Sequence, residues 1–170
     1  NMETTPTLEI SPEKMDFRAY SISWNLTKRC NLNCDHCYLD GDFRGGHITV
    51  ELYTYECFKV IVQIAEVNPN AFLILTGGEP LLRPDIYEII RYAADRKFMV
   101  VLGTNGTMIN RVNAEKIKAA GAHGVGISID SMNPDKHNKF RGVDKAWELS
   151  MDAFDILNEV GVDFLVQMSV

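Results

Sequence analysis

The sequence predicts an α/β protein built on a parallel sheet, and three observations predict it. Five short runs rich in apolar and β-branched residues alternate, from Tyr20 onward, with longer segments of helical period; that order yields parallel strands with helices packed outside them. Polar or glycine-rich motifs follow or close the first four runs: a cysteine cluster, then TGGEP, then GTNG, then SID. They fall at the sheet edge where α/β proteins place their chemistry. The composition, 46% apolar and 24% charged, is that of an ordinary globular domain.

The elements follow in order. The first run is YSISWNLT, Tyr20 to Thr27, and after the cysteine loop comes a helix over about Val50 to Val67 with Thr49 as its N-cap. AFLIL, Ala71 to Leu75, is the second strand. The next helix opens at Pro84, which suits a first-turn position needing no amide donor, and Ile86, Ile89, Ile90, Ala93 and Ala94 form its apolar stripe. FMVVL, Phe98 to Leu102, is the third strand, with a helix from about Asn113 to Ala120 closed by Gly121. GVGISI is the fourth strand, then a loop, then a helix carrying Ala146, Leu149, Ala153, Ile156, Leu157 and Val160 and closed by Gly161. VDFLVQMSV is the fifth strand.

The same composition excludes several roles. No apolar run approaches the roughly 18 residues of a membrane span, and the start lacks the pattern of a secretory signal, so the cytoplasm is the expected compartment. A net charge of -6 argues against a nucleic-acid binder. Four cysteines, three of them clustered, do not resemble a secreted disulfide framework. Cys57 falls beside Phe58, Ile61 and Ile64 on an apolar helix face and reads as a plain buried cysteine.

Cys30, Cys34 and Cys37 stand in TKRCNLNCDHCYLDG, separated by three residues and then two. A structural zinc site takes four protein ligands, whereas a reactive metal centre keeps a position open. An iron-sulfur cube normally takes four thiolates, so three leave one iron without a protein ligand. Asn31 and Asn33 tolerate left-handed backbone angles that would wrap a short loop round a cube. The alternative is zinc, with His36, Cys57 or a partner as fourth ligand. TGGEPLL, Thr76 to Leu82, adds two glycines that permit close backbone approach and Glu79 as an acceptor for an amine; a tight turn is the plainer reading.

The cysteine spacing, with aromatic Tyr38 after the third cysteine and matching motifs after the later strands, resembles the signature of the radical S-adenosylmethionine (radical SAM) enzymes. That resemblance implies an oxidoreductase-type enzyme core with a 4Fe-4S cluster on Cys30, Cys34 and Cys37. S-adenosyl-L-methionine would chelate the open iron and be cleaved reductively to a 5'-deoxyadenosyl radical that abstracts hydrogen from substrate. It further implies cofactor contacts from Tyr38, Gly77, Gly78, Glu79, Asn105, Ser128, Asp130 and Arg141, the last by a bidentate grip on a carboxylate. Local explanations stand beside these: a turn at Asn105 and Gly106, a helix cap at Asp130, a solvated surface arginine at Arg141, and a bystander at His137. His47 and His123 receive no role.

The family core is a partial barrel of roughly six strand-helix units, against eight in a complete barrel. Residues 1–19 are then an N-terminal extension and 20–170 a radical SAM core truncated after its fifth strand, to be closed by a missing C-terminal region or a partner chain. The run through GISIDSMNPDKHNKFRG resembles the branch with auxiliary iron-sulfur domains, which includes haem and haem d1 biosynthesis enzymes and peptide maturases. Tetrapyrrole chemistry is the favoured expectation, with a peptide-modifying maturase or a zinc-stabilised binding module as alternatives. Expected partners are a small-molecule or peptide substrate and an electron donor such as ferredoxin or flavodoxin. A core this open would bind a cluster yet exclude water poorly.

Overall fold

Five parallel strands lie side by side in the order in which the chain makes them. The computed structural model describes residues 21–39, 42–43 and 50–168. Tyr20, His47, Thr49, the N-terminal extension 1–19 and the last two residues of the expected fifth strand lie outside them. The elements are β1 (Ser21–Thr27), β2 (Arg29–Cys30), β3 (Asp42–Phe43), α1 (Thr54–Val67), β4 (Phe72–Gly77), α2 (Ile86–Asp95), β5 (Met99–Thr104), α3 (Arg111–Ala119), β6 (Gly124–Ser128), α4 (Pro134–Arg141), α5 (Ala146–Val160) and β7 (Phe164–Gln167). The main sheet runs β1-β4-β5-β6-β7, while β2 and β3 pair separately. A strand order that follows the chain is the winding of a barrel wall rather than of a doubly wound sheet.

Alternation along the strands explains the layers. Leu73 and Leu75, Val100 and Leu102, Val125 and Ile127 are buried together with Ile61 of α1, Ile86, Ile89 and Ile90 of α2, Ile117 of α3 and Leu157 of α5. Each such side chain contributes about 1.5–3 kcal/mol by leaving water, which makes this layer the main source of cohesion. The other face carries Ser23, Ile74, Thr76 and Gly103, which line a cavity instead of filling a core.

Three helix starts differ from expectation. α1 begins at Thr54 because Glu51 is drawn to Arg29, and Tyr53 donates its amide to Glu56 Oε2 at 2.8 Å as the helix opens. α2 begins at Ile86: residues Pro80–Leu82 form a separate 3-10 turn, closed by Arg83 N donating to Pro80 O at 3.0 Å. α3 begins two residues before Asn113, whose amide donates to the Asn110 cap at 2.9 Å. The expected loop before Ala146 contains α4, capped by Asn133 Oδ1 accepting from Lys136 N at 3.0 Å. Asn31 and Asn33 do not adopt left-handed angles; among the described residues, Lys97 and Lys145 are the non-glycine residues that do.

Candidate metal and cofactor site

The strand ends meet at a cavity of about 320 Å³ whose lining includes Cys30, Cys34, Cys37 and Tyr38 from the cysteine loop. Gly77, Gly78, Asn105, Ser128 and Arg141 line the same space, so nine of the eleven residues expected at a site converge there. Glu79 and Asp130 are not among the lining residues. His36, named above as a possible fourth zinc ligand, also lines the cavity, as do Thr76 and Thr104 of the two strand-end motifs; Ser23 and Gln167 join them without having been singled out by the sequence. Strand alternation could have found Ser23 and Thr76, because both lie on the face opposite the buried leucines.

The two glycines serve the chain before any ligand. Gly78 N donates to Thr27 O and Glu79 N to Arg29 O, both at 2.8 Å, so the turn after β4 grips the segment that delivers Cys30. A Cβ on Gly77 would strike Thr27 O and one on Gly78 would strike Arg29 O, and Gly77 also has φ +140°. The close approach expected of this motif is therefore made first to the protein's own backbone.

Glu79 is fully buried and its carboxylate is filled by three donors: Leu81 N to Oε1 at 3.0 Å, Thr104 Oγ1 to Oε2 at 2.8 Å and Asn105 N to Oε2 at 2.9 Å. Burial pushes its carboxyl above the usual range, against these three bonds. A side chain so engaged fastens β4 to the end of β5, and Gly77 and Gly78 rather than Glu79 line the cavity. Asp130 is likewise turned inward, its Oδ2 2.6 Å from Arg141 Nη2. It caps no helix, since the cap of α4 is Asn133. Arg141 is buried rather than a solvated surface residue, and its Nη1 donates to Cys34 Sγ at 3.8 Å.

The cysteine loop is held from several sides. Asn31 Nδ2 donates to Thr107 Oγ1 at 2.8 Å and Asn31 Oδ1 accepts from Asn105 Nδ2 at 2.9 Å. Asn33 N and Asp35 N donate to Arg141 O and Phe140 O, each at 3.0 Å. The His36 ring stacks on Phe140 with centroids 4.2 Å apart. Tyr38, largely exposed, donates its hydroxyl to Asn25 Oδ1 at 3.1 Å.

The donor set tests what the cavity could hold. Cys30 is buried and Cys34 half-buried, while Cys37 is exposed, and all three thiols are free of disulfides. Burial pushes Cys30 up to about 11, and burial raises Cys34 despite the opposing Arg141 guanidinium. Binding a cation here would thus release protons. Three soft donors with no carboxylate beside them in the lining suit an iron-sulfur group or zinc. Among the described residues, however, no three His, Cys, Asp or Glu side chains gather as a single metal ion requires. Cys57 offers no fourth thiol, since it is buried beside Arg83 Nη2 at 3.8 Å, outside this cavity.

Comparison with known proteins follows the same line. The family description "Radical SAM superfamily" matches residues 24–170. The chain is 40% identical to the AdoMet-dependent heme synthase of Methanosarcina barkeri over 149 residues, 88% of this chain and 42% of that protein. It is 38% identical to the pre-heme d1 synthase of Dinoroseobacter shibae over 133 residues, 76% of this chain and 31% of that one. Among solved structures, Streptococcus suis SuiB bound to precursor peptide SuiA superposes with a TM-score of 0.73 at 16% identity, covering 88% of this chain and 32% of that one. The chain therefore spans about two fifths or less of the length of these proteins.

Proposed function

The chain belongs to the radical SAM superfamily, and from that premise we propose that it is the cluster-binding and cofactor-binding core of an enzyme acting on a tetrapyrrole of the haem pathway. One observation carries the reading: the three thiols share a single cavity with the Gly77–Gly78 backbone, Asn105 and Ser128. Cys30, Cys34 and Cys37 would hold the 4Fe-4S cluster that this superfamily uses together with S-adenosylmethionine. When bound, that pair supplies a 5'-deoxyadenosyl radical for hydrogen abstraction. The protein's part is to seat, orient and dry the reacting groups.

The residues divide that work. Gly77 and Gly78 line the cavity, and the Gly78 and Glu79 amides, donating to Thr27 O and Arg29 O, tie that wall to the Cys30 segment. Ser128, at the end of β6, places a hydroxyl where a ribose can be met, and Asn105 reaches the same wall from β5. Ser150 Oγ, donating to Asn105 O at 2.7 Å, steadies that wall from α5. Tyr38 stands at the exposed rim. Identity of 40% with a heme synthase favours the tetrapyrrole substrate. The peptide-maturase alternative has behind it the antilisterial bacteriocin subtilosin biosynthesis protein AlbA of Bacillus subtilis, 32% identical over 87% of this chain, against 40% for the heme synthase.

Anaerobic reconstitution with iron and sulfide tests the reading. The expected result is a brown, oxygen-sensitive cluster whose electron-resonance signal shifts on addition of S-adenosylmethionine, with most of the iron lost on replacing any one of Cys30, Cys34 and Cys37 by alanine. Stoichiometric zinc with no iron in anaerobically purified protein would overturn it.

A further inference from the structure

Arg141 is the buried cation of the cavity wall, and its terminal nitrogens are already engaged: Nη2 lies 2.6 Å from Asp130 Oδ2 and Nη1 donates to Cys34 Sγ at 3.8 Å. Both partners belong to the protein, and each takes one terminal nitrogen of the fork, while Nε is buried without a hydrogen-bond partner. Around this contact the C-terminal end of α4 receives the cysteine loop. The carbonyls of Phe140 and Arg141, which a helix end leaves without intrahelical partners, accept the amides of Asp35 and Asn33. Gly142, at φ +69°, packs so closely on Asn33 that a Cβ would strike Asn33 O, and His36 stacks on Phe140.

We infer that the Asp130–Arg141 pair is a positioning device for the cluster ligand Cys34: Asp130 fixes the guanidinium, and the guanidinium holds and partly neutralises the thiolate. The inference rests on the cluster reading above and gives Arg141 a role at the protein's own sulfur. Hydrogen bonds to cluster sulfurs and local charge set the reduction potential of such centres. A cation at Cys34 favours the electron-rich state and raises that potential, and outer contacts of this kind also govern how tightly metal is kept.

The test compares wild type, Arg141→Met, Arg141→Lys and Asp130→Asn, each reconstituted with iron and sulfide, by redox titration under electron resonance and by iron release to a chelator. Arg141→Met is expected to move the potential to more negative values and to release iron about tenfold faster. Arg141→Lys restores part of the potential, because it keeps the charge without the fork. Asp130→Asn, which keeps the guanidinium but loosens its seat, speeds iron release. Should Arg141→Met take up no iron, unchanged release from Asp130→Asn overturns the inference. So does an Arg141→Met protein with wild-type potential and iron release, above all if it binds S-adenosylmethionine about ten times more weakly, the mark of a ligand clamp. Wild type that takes up no iron sinks the cluster reading instead.

Discussion

Glycine at position 78 is fixed by what lies behind it rather than by what lies in the cavity. Its missing side chain lets the turn after β4 press on Arg29 O, one residue before Cys30. Gly78→Ala is expected to cost about 1–3 kcal/mol by forced backbone displacement, read by urea unfolding, and to lower iron uptake. Unchanged iron with unchanged stability would show that the contact does not position the loop. Glu79→Ala strands two buried amides and the Thr104 hydroxyl, at about 1–3 kcal/mol for each group left unpaired. Glu79→Gln, which keeps an acceptor in place, is expected to cost less in the same measurement. That the cysteines and glycines come together was legible because it depends on spacing and on absent side chains, which sequence displays directly. The inward turn of Glu79, Asp130 and Arg141 was not, because a carboxylate or guanidinium at a strand or helix end reads alike whether it meets a ligand or its own protein.

At the scale of elements, one charged knot explains why α1 and α2 start where they do. Arg83, 4% exposed, donates to Leu26 O and Leu52 O at 3.1 Å and to Asp85 Oδ1 and Oδ2 at 3.0 and 2.7 Å. Arg29 holds Glu51 alongside, where Thr27 also donates its hydroxyl. Burial pushes both carboxyls up, but it is outweighed: bonds from Arg83 and Thr54 hold Asp85 below its ordinary value, and bonds from Arg29 and Thr27 do so for Glu51. Depressed folded-state values mean that this contribution is complete above the unfolded carboxylate range, about pH 4. It is lost as pH falls through the folded values. Melting temperature followed from pH 7 into acid should therefore drop more steeply for wild type than for Arg83→Met, which is already less stable at neutral pH. Parallel curves would refute the assignment.

α4 escaped the sequence reading for a related reason. PDKHNKFR has no apolar stripe, and the residues it buries are His137 and Arg141, so the periodicity that revealed α2 and α5 had nothing to act on. Asn133 before Pro134 and Gly142 at the far end were the available signals, a cap, a first-turn proline and a terminal glycine.

At the scale of the whole molecule, the sheet ends in β7, where Phe164, Leu165 and Val166 are 38%, 48% and 55% exposed. An uncovered apolar strand is a template for further pairing. The 170-residue chain produced alone is expected to associate with rising concentration, measured by sedimentation velocity, and Val166→Lys to reduce that association. Monomeric behaviour of the unmodified chain at high concentration would count against it. The parallel strands and their order were legible here, since each apolar run is bounded by turn residues. The second, two-stranded pairing was not, because Arg29–Cys30 and Asp42–Phe43 are too short for an alternating pattern to register.

The contact between Arg141 and Cys34 spans 107 positions of sequence. On a ribosome adding about 5–20 residues per second, the thiols emerge on the order of ten seconds before the helix end that seats them. On the proposed cluster reading, iron delivered earlier would meet an unanchored tail, and loading would follow translation past α4. Until then, shielding those sulfurs from oxidants falls to the cell and not to the fold.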